Sequence, residues 1–292
     1  MMLRLSLALL WLLHWLPLPV LAALGARLGT LAYHLAAERR RVTLVNLALC
    51  FPQWPASRRE AVARAHFQAF MTSILAQGVG WFASLERLRA VVRFEGMDLL
   101  QRALAQGPVI LMTPHFFGID TAGICLSADV DIITINSRVK DARVDALFRR
   151  MRRRWNRGAI FDRQAGIRSV LRALKPGWAL YYMADQDFGA RESVFVPFFG
   201  VPAATTPALS RLARLAHAQV VPCVMHQDFE RGVLHMRFYP PWTDFPGPDE
   251  KADALRMNQF IEARVLEQPA NYLWSHKRFK TRPDGAPSPY AR

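Results

Sequence analysis

Cysteine is scarce in this chain of 292 residues: Cys50, Cys125 and Cys223 are widely separated and odd in number. That argues against a disulfide framework and against the paired spacing of a zinc site, and it fits a reducing compartment for the folded part. Lysine is scarce as well. Only Lys140, Lys175, Lys251, Lys277 and Lys280 occur, so arginine supplies most of the 38 positive side chains that outnumber 23 acidic ones and leave +15. The excess favours anionic partners such as nucleic acid, phosphate-bearing lipid or an acidic carrier protein, and an arginine-favouring genome is its bland cause. Charged residues make up only 21%, against 52% hydrophobic and 11% aromatic, the reverse of a disordered composition. Several catalytic signatures are missing: no Gly-x-Ser-x-Gly elbow, no phosphate-cradling loop ending in Lys-Ser/Thr, no His-Glu-x-x-His and no Gly-x-Gly-x-x-Gly. Asp187-Phe188-Gly189 spells a kinase tripeptide, but the glycine-rich and His-Arg-Asp loops that would give it meaning are absent. No internal repeat, low-complexity tract or long linker is present.

A long uncharged run is present instead, from Leu5 to Leu24, close to the ~20 apolar residues of a membrane-spanning helix. Arg27 follows, then a mainly apolar stretch to Ala37 and the cluster Glu38-Arg39-Arg40-Arg41, which by the positive-inside rule keeps the rest of the chain cytoplasmic. Pro17 and Pro19 would kink the segment, and His14 and Arg27 are costly in lipid, so a shallow or broken anchor stands beside a clean span. A cleaved signal peptide is the competing reading, because Arg4, the apolar run and Ala22-Ala23 imitate its three parts. The economical division is a membrane anchor with its basic flank over residues 1–41 and one catalytic-sized domain over 42–292.

Within that domain, short apolar runs alternate with helical periodicity. Pro108–Thr113, Val130–Ile135, Trp178–Met183, Val220–Met225 and Val233–Phe238 read as strands. Ser57–Gln77, with Ser57 and Glu60 as a capping box and an apolar stripe of Val62, Ala65, Phe67, Phe70 and Ile74, reads as a helix. So do Met97–Gln106, Ile119–Leu126, Val139–Arg157, Ala165–Leu174 and Pro207–His217, the last capped by Thr206. The pattern predicts an α/β fold: a single layered domain with a largely parallel central sheet, preceded by an N-terminal membrane-anchoring helix. Sites in such sheets gather where strands run out into helices.

His115 occupies such a place, in Thr113-Pro-His-Phe-Phe-Gly-Ile-Asp120 just after the first of these strands. Residues five apart on one helix differ by ~140° in azimuth, so His115 and Asp120 can pair only if His115 lies in a strand-to-helix turn, which Gly118 permits. A His oriented by a carboxylate is a general base for a hydroxyl, and with no serine or cysteine placed as nucleophile that hydroxyl is the substrate's own. A structural His capping the helix is the alternative. A second feature is Arg149, Arg150, Arg152, Arg153, Arg154 and Arg157 on one helix, flanked by Arg138 and Arg163. Lipid phosphate is the nearer target for them than nucleic acid on a membrane-anchored chain, and a solvated helix face is the alternative. A third is Asn271–Arg282, where aromatics and cations interleave. It suits a membrane interface, with Lys277, Arg278, Lys280 and Arg282 on phosphates, while core packing of Trp274 and Phe279 is compatible with that.

The segments Asn46–Pro52, His115–Asp120, Ala184-Asp-Gln-Asp-Phe-Gly189, Ser193–Phe199, Ala203–Thr206 and Trp274–Pro283, taken together and in this order, resemble the late acyltransferases of lipid A biosynthesis, the lauroyl/myristoyl transferases of the Gram-negative inner membrane within the lysophospholipid-acyltransferase-like superfamily. The resemblance implies transfer of a fatty acyl chain from acyl carrier protein to a hydroxyl of a lipid A precursor at the cytoplasmic face. It implies His115 as base and Asp120 as its partner, the latter one methylene shorter than the Glu of some members. Arg138, Arg152 and Arg163 carry over as phosphate or oxyanion contacts. The implied mechanism needs no acyl-enzyme, metal or redox cofactor: His115 takes the hydroxyl proton as the oxygen attacks the thioester, and backbone N–H groups after His115, with Arg138, stabilise the oxyanion. An apolar tunnel beside the site would select chain length at ~0.8 kcal/mol per buried methylene. The rivals are the same chemistry on a lysophospholipid or aminolipid, and a non-catalytic membrane-tethered protein that binds anionic lipid or nucleic acid.

Overall fold

The computed structural model describes residues 2–136, 141–162, 166–228 and 231–291. The helices are α1 (Met2–Leu13), α2 (Leu18–Leu35), α3 (Ala37–Cys50), α4 (Ala56–Phe82), α5 (Leu85–Val91), α6 (Met97–Gln106), α7 (Ile119–Leu126), α8 (Ala142–Arg152), α9 (Ile167–Ala173), α10 (Ala208–Ala216) and α11 (Glu250–Glu267). The strands are β1 (Val92–Glu95), β2 (Val109–Met112), β3 (Asp131–Asn136), β4 (Ile160–Asp162), β5 (Trp178–Tyr182), β6 (Val194–Phe198), β7 (Val201–Thr205), β8 (Gln219–Asp228) and β9 (Val233–Phe238).

Seven strands form one sheet in the order β1-β9-β8-β2-β5-β3-β4. From β8 to β4 the neighbours are parallel, β9 is antiparallel to β8, and β1 runs parallel to β9. This is the expected α/β architecture with a mostly parallel sheet. β2 is buried at every residue, which is why it reads as an unbroken Val-Ile-Leu-Met run rather than an alternation. β6 and β7 make a separate antiparallel hairpin against α11. The core is continuous from the sheet into the N-terminal helices: Leu21, Leu47, Ile110, Leu180 and Ile261 belong to one buried cluster.

Several local expectations are corrected. The capping box at Ser57 and Glu60 is not used, because α4 starts one residue earlier behind Pro55, and Glu60 accepts from Arg64 at 2.7 Å. Phe70 and Ile74, assigned to the inward stripe of α4, are exposed, while Ala63, His66 and Phe67 face in. α8 stops at Arg152, so the arginine run is divided between its last turn and the loop beyond it. In the C-terminal aromatic–cationic stretch Trp274 and Phe279 are core and Arg278 is buried with them, while Lys280 stays exposed. Arg278 donates to the Ala204 carbonyl at 2.6 Å and to Thr205 Oγ1 at 2.8 Å, contacts that hold the β6–β7 hairpin down. The basic cluster at Arg39–Arg41 opens α3, whose Asn46 donates to the carbonyls of Trp274 and His276 at 2.6 and 2.8 Å. Residue 41 therefore lies inside a helix docked on the C-terminal segment.

Candidate active site

The register of the two central strands sets the site. Met112 at the end of β2 stands opposite Tyr182 at the end of β5, and each chain then continues for three residues, to His115 and Asp185. Equal offsets beyond paired strand ends bring the two side chains together. His115 Nδ1 is 2.5 Å from Asp185 Oδ1, and the His115 backbone N–H donates to Asp185 Oδ2 at 2.9 Å. The carboxylate thus fixes both the ring and the turn that carries it.

That turn is clamped on every side. Phe117 N–H donates to the Asn271 carbonyl at 3.0 Å, Leu273 N–H to the His115 carbonyl at 3.1 Å, and Gly118 N–H to Ser73 Oγ on α4 at 3.0 Å. Gly118 has φ of 89°, a left-handed conformation that any side chain would strain, and it lets the chain turn directly into α7. With the Phe116 N–H on the Pro114 carbonyl at 2.8 Å, the N–H groups of Phe116, Phe117 and Gly118 are all engaged, which removes them as oxyanion donors. Among the described residues, none accepts from the N–H groups of Ile119 and Asp120 in the first turn of α7.

Asp185 is almost fully buried, and burial alone would favour its protonated form. The attraction of His115 and its hydrogen bonds, aided by the field of Arg278, instead hold the carboxyl down at about 2. Burial would likewise push His115 toward the neutral ring, yet the charge of Asp185, their hydrogen bond and the more distant Asp120 raise its proton affinity above the ordinary value. With Nδ1–H facing the carboxylate, Nε2 is the ring's acceptor, and the Gln186 side-chain amide donates to it at 3.0 Å. His276 lies close enough to feel both groups. Its burial lowers it to about 4, so it stays neutral beside the pair.

Asp120, expected to hold the imidazole, accepts from Arg152 instead, at 2.6 Å from Nη2 and 3.1 Å from Nε. Arg152 also donates to Asn136 Oδ1 at 2.7 Å. The structure thus brings His115, Asp120 and Arg152 to one region but gives His115 another hydrogen-bonded carboxylate. Arg138 and Arg163 lie outside the described residues. Asp185 and Gln186 were missed, although both stand in the segment Ala184–Gly189; their signal is the acidic-amide pair that begins three residues past the end of β5.

Two cavities meet at Ile119 and Asp120. One, of about 340 Å³, holds His115 and is otherwise lined by side chains such as Leu10, Phe70, Ile74, Gln77 and Trp81, with the Gln77 Nε2 buried and unpartnered. The other, of about 240 Å³, runs past Ile124, Ile132, Val170 and Leu212, with Arg152 and Asn136 on its wall. Among the described residues no group of three or more His, Cys, Asp or Glu is placed to share a metal ion. The three cysteines are buried, and burial raises their thiols, Cys125 to about 12.

A histidine held by a buried carboxylate at the ends of parallel strands, opening into a largely apolar cavity, has the chemistry of a general base for a lipid hydroxyl. The chain belongs to the family of bacterial lipid A biosynthesis acyltransferases, whose model matches residues 2–281. It is 33% identical over 287 residues to the lipid A biosynthesis palmitoleoyltransferase of Escherichia coli K12, which covers 98% of this chain and 93% of that protein. The lauroyltransferase of the same strain is 32% identical over 98% of this chain and 94% of its own length, and the myristoyltransferase 30% identical over 91% and 83%. The chain is therefore an acyltransferase, and the reading of a non-catalytic binding protein falls.

Proposed function

We propose that the protein moves a fatty acyl chain from an acyl carrier protein thioester to a hydroxyl of a lipid A precursor, at the cytoplasmic face of the inner membrane. The observation that carries the mechanism is the His115–Asp185 pair with Nε2 directed away from the carboxylate. The acceptor hydroxyl displaces the Gln186 amide and gives its proton to Nε2 as its oxygen bonds to the thioester carbonyl carbon. The C–S bond then breaks, and the imidazolium returns the proton to the departing thiolate. Asp185 stabilises the imidazolium, and no covalent acyl-enzyme forms. The oxyanion faces the unengaged N–H groups of Ile119 and Asp120 at the positive end of α7, where preorganised donors act most strongly. Asp120, common to both cavities, and Arg152, paired with it on the wall of the second, position the phosphate-bearing acceptor and the thioester.

The cavity of about 240 Å³ suits the acyl chain, since Ile119, Ile124, Ile132, Ile135, Val170 and Leu212 give it an apolar wall, and each methylene buried there adds ~0.8 kcal/mol. The names of the relatives support the lipid A acceptor: palmitoleoyl-, lauroyl- and myristoyltransferase all act in lipid A biosynthesis. Purified membranes carrying the protein should transfer radiolabelled acyl groups from the carrier protein to a lipid A precursor when lysophospholipid and aminolipid are offered alongside. Transfer to either of those lipids in preference would overturn the acceptor, and a clear preference for coenzyme A thioesters of equal length would overturn the donor.

A further inference from the structure

By length and composition α2 is long and apolar enough to cross a bilayer. Three observations set its pose differently. First, the domain holds it at both ends. Beside its start, the Leu16 carbonyl accepts from Arg87 at 2.9 Å and Pro19 packs on Gly232 of the β8–β9 turn. At its end, Arg40 donates to the Tyr33 carbonyl at 3.2 Å, and the Arg64 guanidinium sits 4.7 Å from the Tyr33 ring. In between, a Cβ on Gly25 would collide with Thr72 and one on Gly29 with the backbone of Phe67 and Gln68, so α2 lies flush along α4. A helix fastened along its length to one domain cannot place its ends on opposite sides of a membrane.

Second, Arg27 stands at the middle of α2, exposed, with no hydrogen-bond or ion-pair partner among the described residues. A spanning pose would leave this bare guanidinium near the bilayer mid-plane, the costliest position for it. Lying in the interface, the same side chain reaches lipid phosphates while its stem stays in hydrocarbon. Third, α1 and α2 run in opposite senses along α4. Leu10 packs on Gly78 and His14 near Phe82, whereas Gly25, Gly29 and Tyr33 meet Thr72, Gln68 and Arg64 in turn. The chain goes out and comes back on one side.

This hairpin is also where the apolar surface is. Of the fourteen exposed large hydrophobic side chains among the described residues, eleven belong to α1, the turn after it, α2 and α4. Leu10, Phe70 and Ile74 continue that surface into the cavity that holds His115. Trp11 and Trp15 are exposed beside the turn, a placement typical of aromatics at a membrane interface.

We infer that the N-terminal helical hairpin lies in the plane of a single leaflet, with the mouth of the His115 cavity opening on that leaflet, so that a lipid hydrocarbon chain enters sideways from the bilayer. The inference rests on the membrane-bound reading above and replaces a transmembrane span with an in-plane one. The occupant of the face is an anionic lipid surface. A second copy of the chain would bring Arg4 and Arg27 against their own kind, whereas phosphates neutralise them.

The test uses the full-length protein in sealed membrane vesicles, with one cysteine introduced at a time as Arg4→Cys or Ala37→Cys, since the native cysteines are buried. A membrane-impermeant maleimide should label both positions from the same side. Labelling from opposite sides would overturn the in-plane pose and leave membrane attachment standing; recovery of the unmodified protein in the soluble fraction would overturn the membrane reading itself. Purified Arg27→Leu added to vesicles of phosphatidylethanolamine and phosphatidylglycerol should bind about fivefold more weakly. Firmer retention, as a spanning helix would show, counts against the inference. So does a Leu31→Glu variant that binds vesicles normally but dissociates a dimer in detergent.

Discussion

Asp185 does two jobs for His115: it accepts from the ring at 2.5 Å and from the backbone N–H at 2.9 Å, so both tautomer and turn depend on it. Its charge also sets the pH response. Because His115 must be unprotonated to act as base, and its proton affinity is raised above that of an ordinary histidine, kcat/KM should fall as pH drops through a limb that lies above 6.5. Asp185→Asn removes the group that stabilises the imidazolium and should lower kcat by about 10²–10⁴-fold. The acid limb should move to lower pH in that variant, since the raising charge is gone. Asp120→Asn should move the limb less, because Asp120 makes no hydrogen bond to the ring and is the weakest of the groups that raise it. A limb that stays in place in Asp185→Asn would show that His115 is not the titrating base.

At the scale of elements, the seating of α2 on α4 depends on two glycines that leave no room for a side chain. Gly29→Leu drives a bulky group into the backbone of Phe67 and Gln68 and should cost about 1–3 kcal/mol, seen as a lower Tm in detergent, while Leu28→Ala on the outer face should change it little. The elements with strong local signals were legible beforehand. Met97–Gln106, Ile119–Leu126 and Val233–Phe238 fall where apolar periodicity places them, and the alternation of strands with helices predicts the parallel sheet. Short or weakly patterned pieces were not. β4 has three residues, and the β6–β7 hairpin carries Pro197 and Pro202, which argue against strands and are tolerated because the hairpin stands apart from the main sheet. His115 was legible from its place after β2. Its partner was not, because Asp185 lies 70 residues away and meets it only through the pairing of β2 with β5, which no local pattern encodes. The nearer Asp120 had the right spacing for a turn, but Arg152 is the stronger competitor for its carboxylate.

For the whole molecule, the excess of +15 is divided between inward and outward arginines. Arg149 pairs with Asp145 and Asp162, Arg152 with Asp120, and Arg154 donates to the carbonyls of Gly80 and Ala83. Arg150, Arg153 and Arg157 stay exposed and have no partner among the described residues. An acidic carrier protein would be attracted to these three, and exposed charges are screened as the Debye length shrinks to ~8 Å at physiological salt. The apparent affinity for the carrier-bound donor should therefore fall with added salt. The slope should flatten when Arg150, Arg153 and Arg157 become Gln, whereas an unchanged slope would make them a solvated face only. The central claim is that His115 is the base of the acyl transfer, and it is tested most directly by the transfer of radiolabelled acyl groups from carrier protein to a lipid A precursor by membranes with equal amounts of the wild-type chain or His115→Ala. The account predicts that the variant, folded and membrane-bound as the wild type is, transfers at the background rate; turnover close to wild type would contradict it.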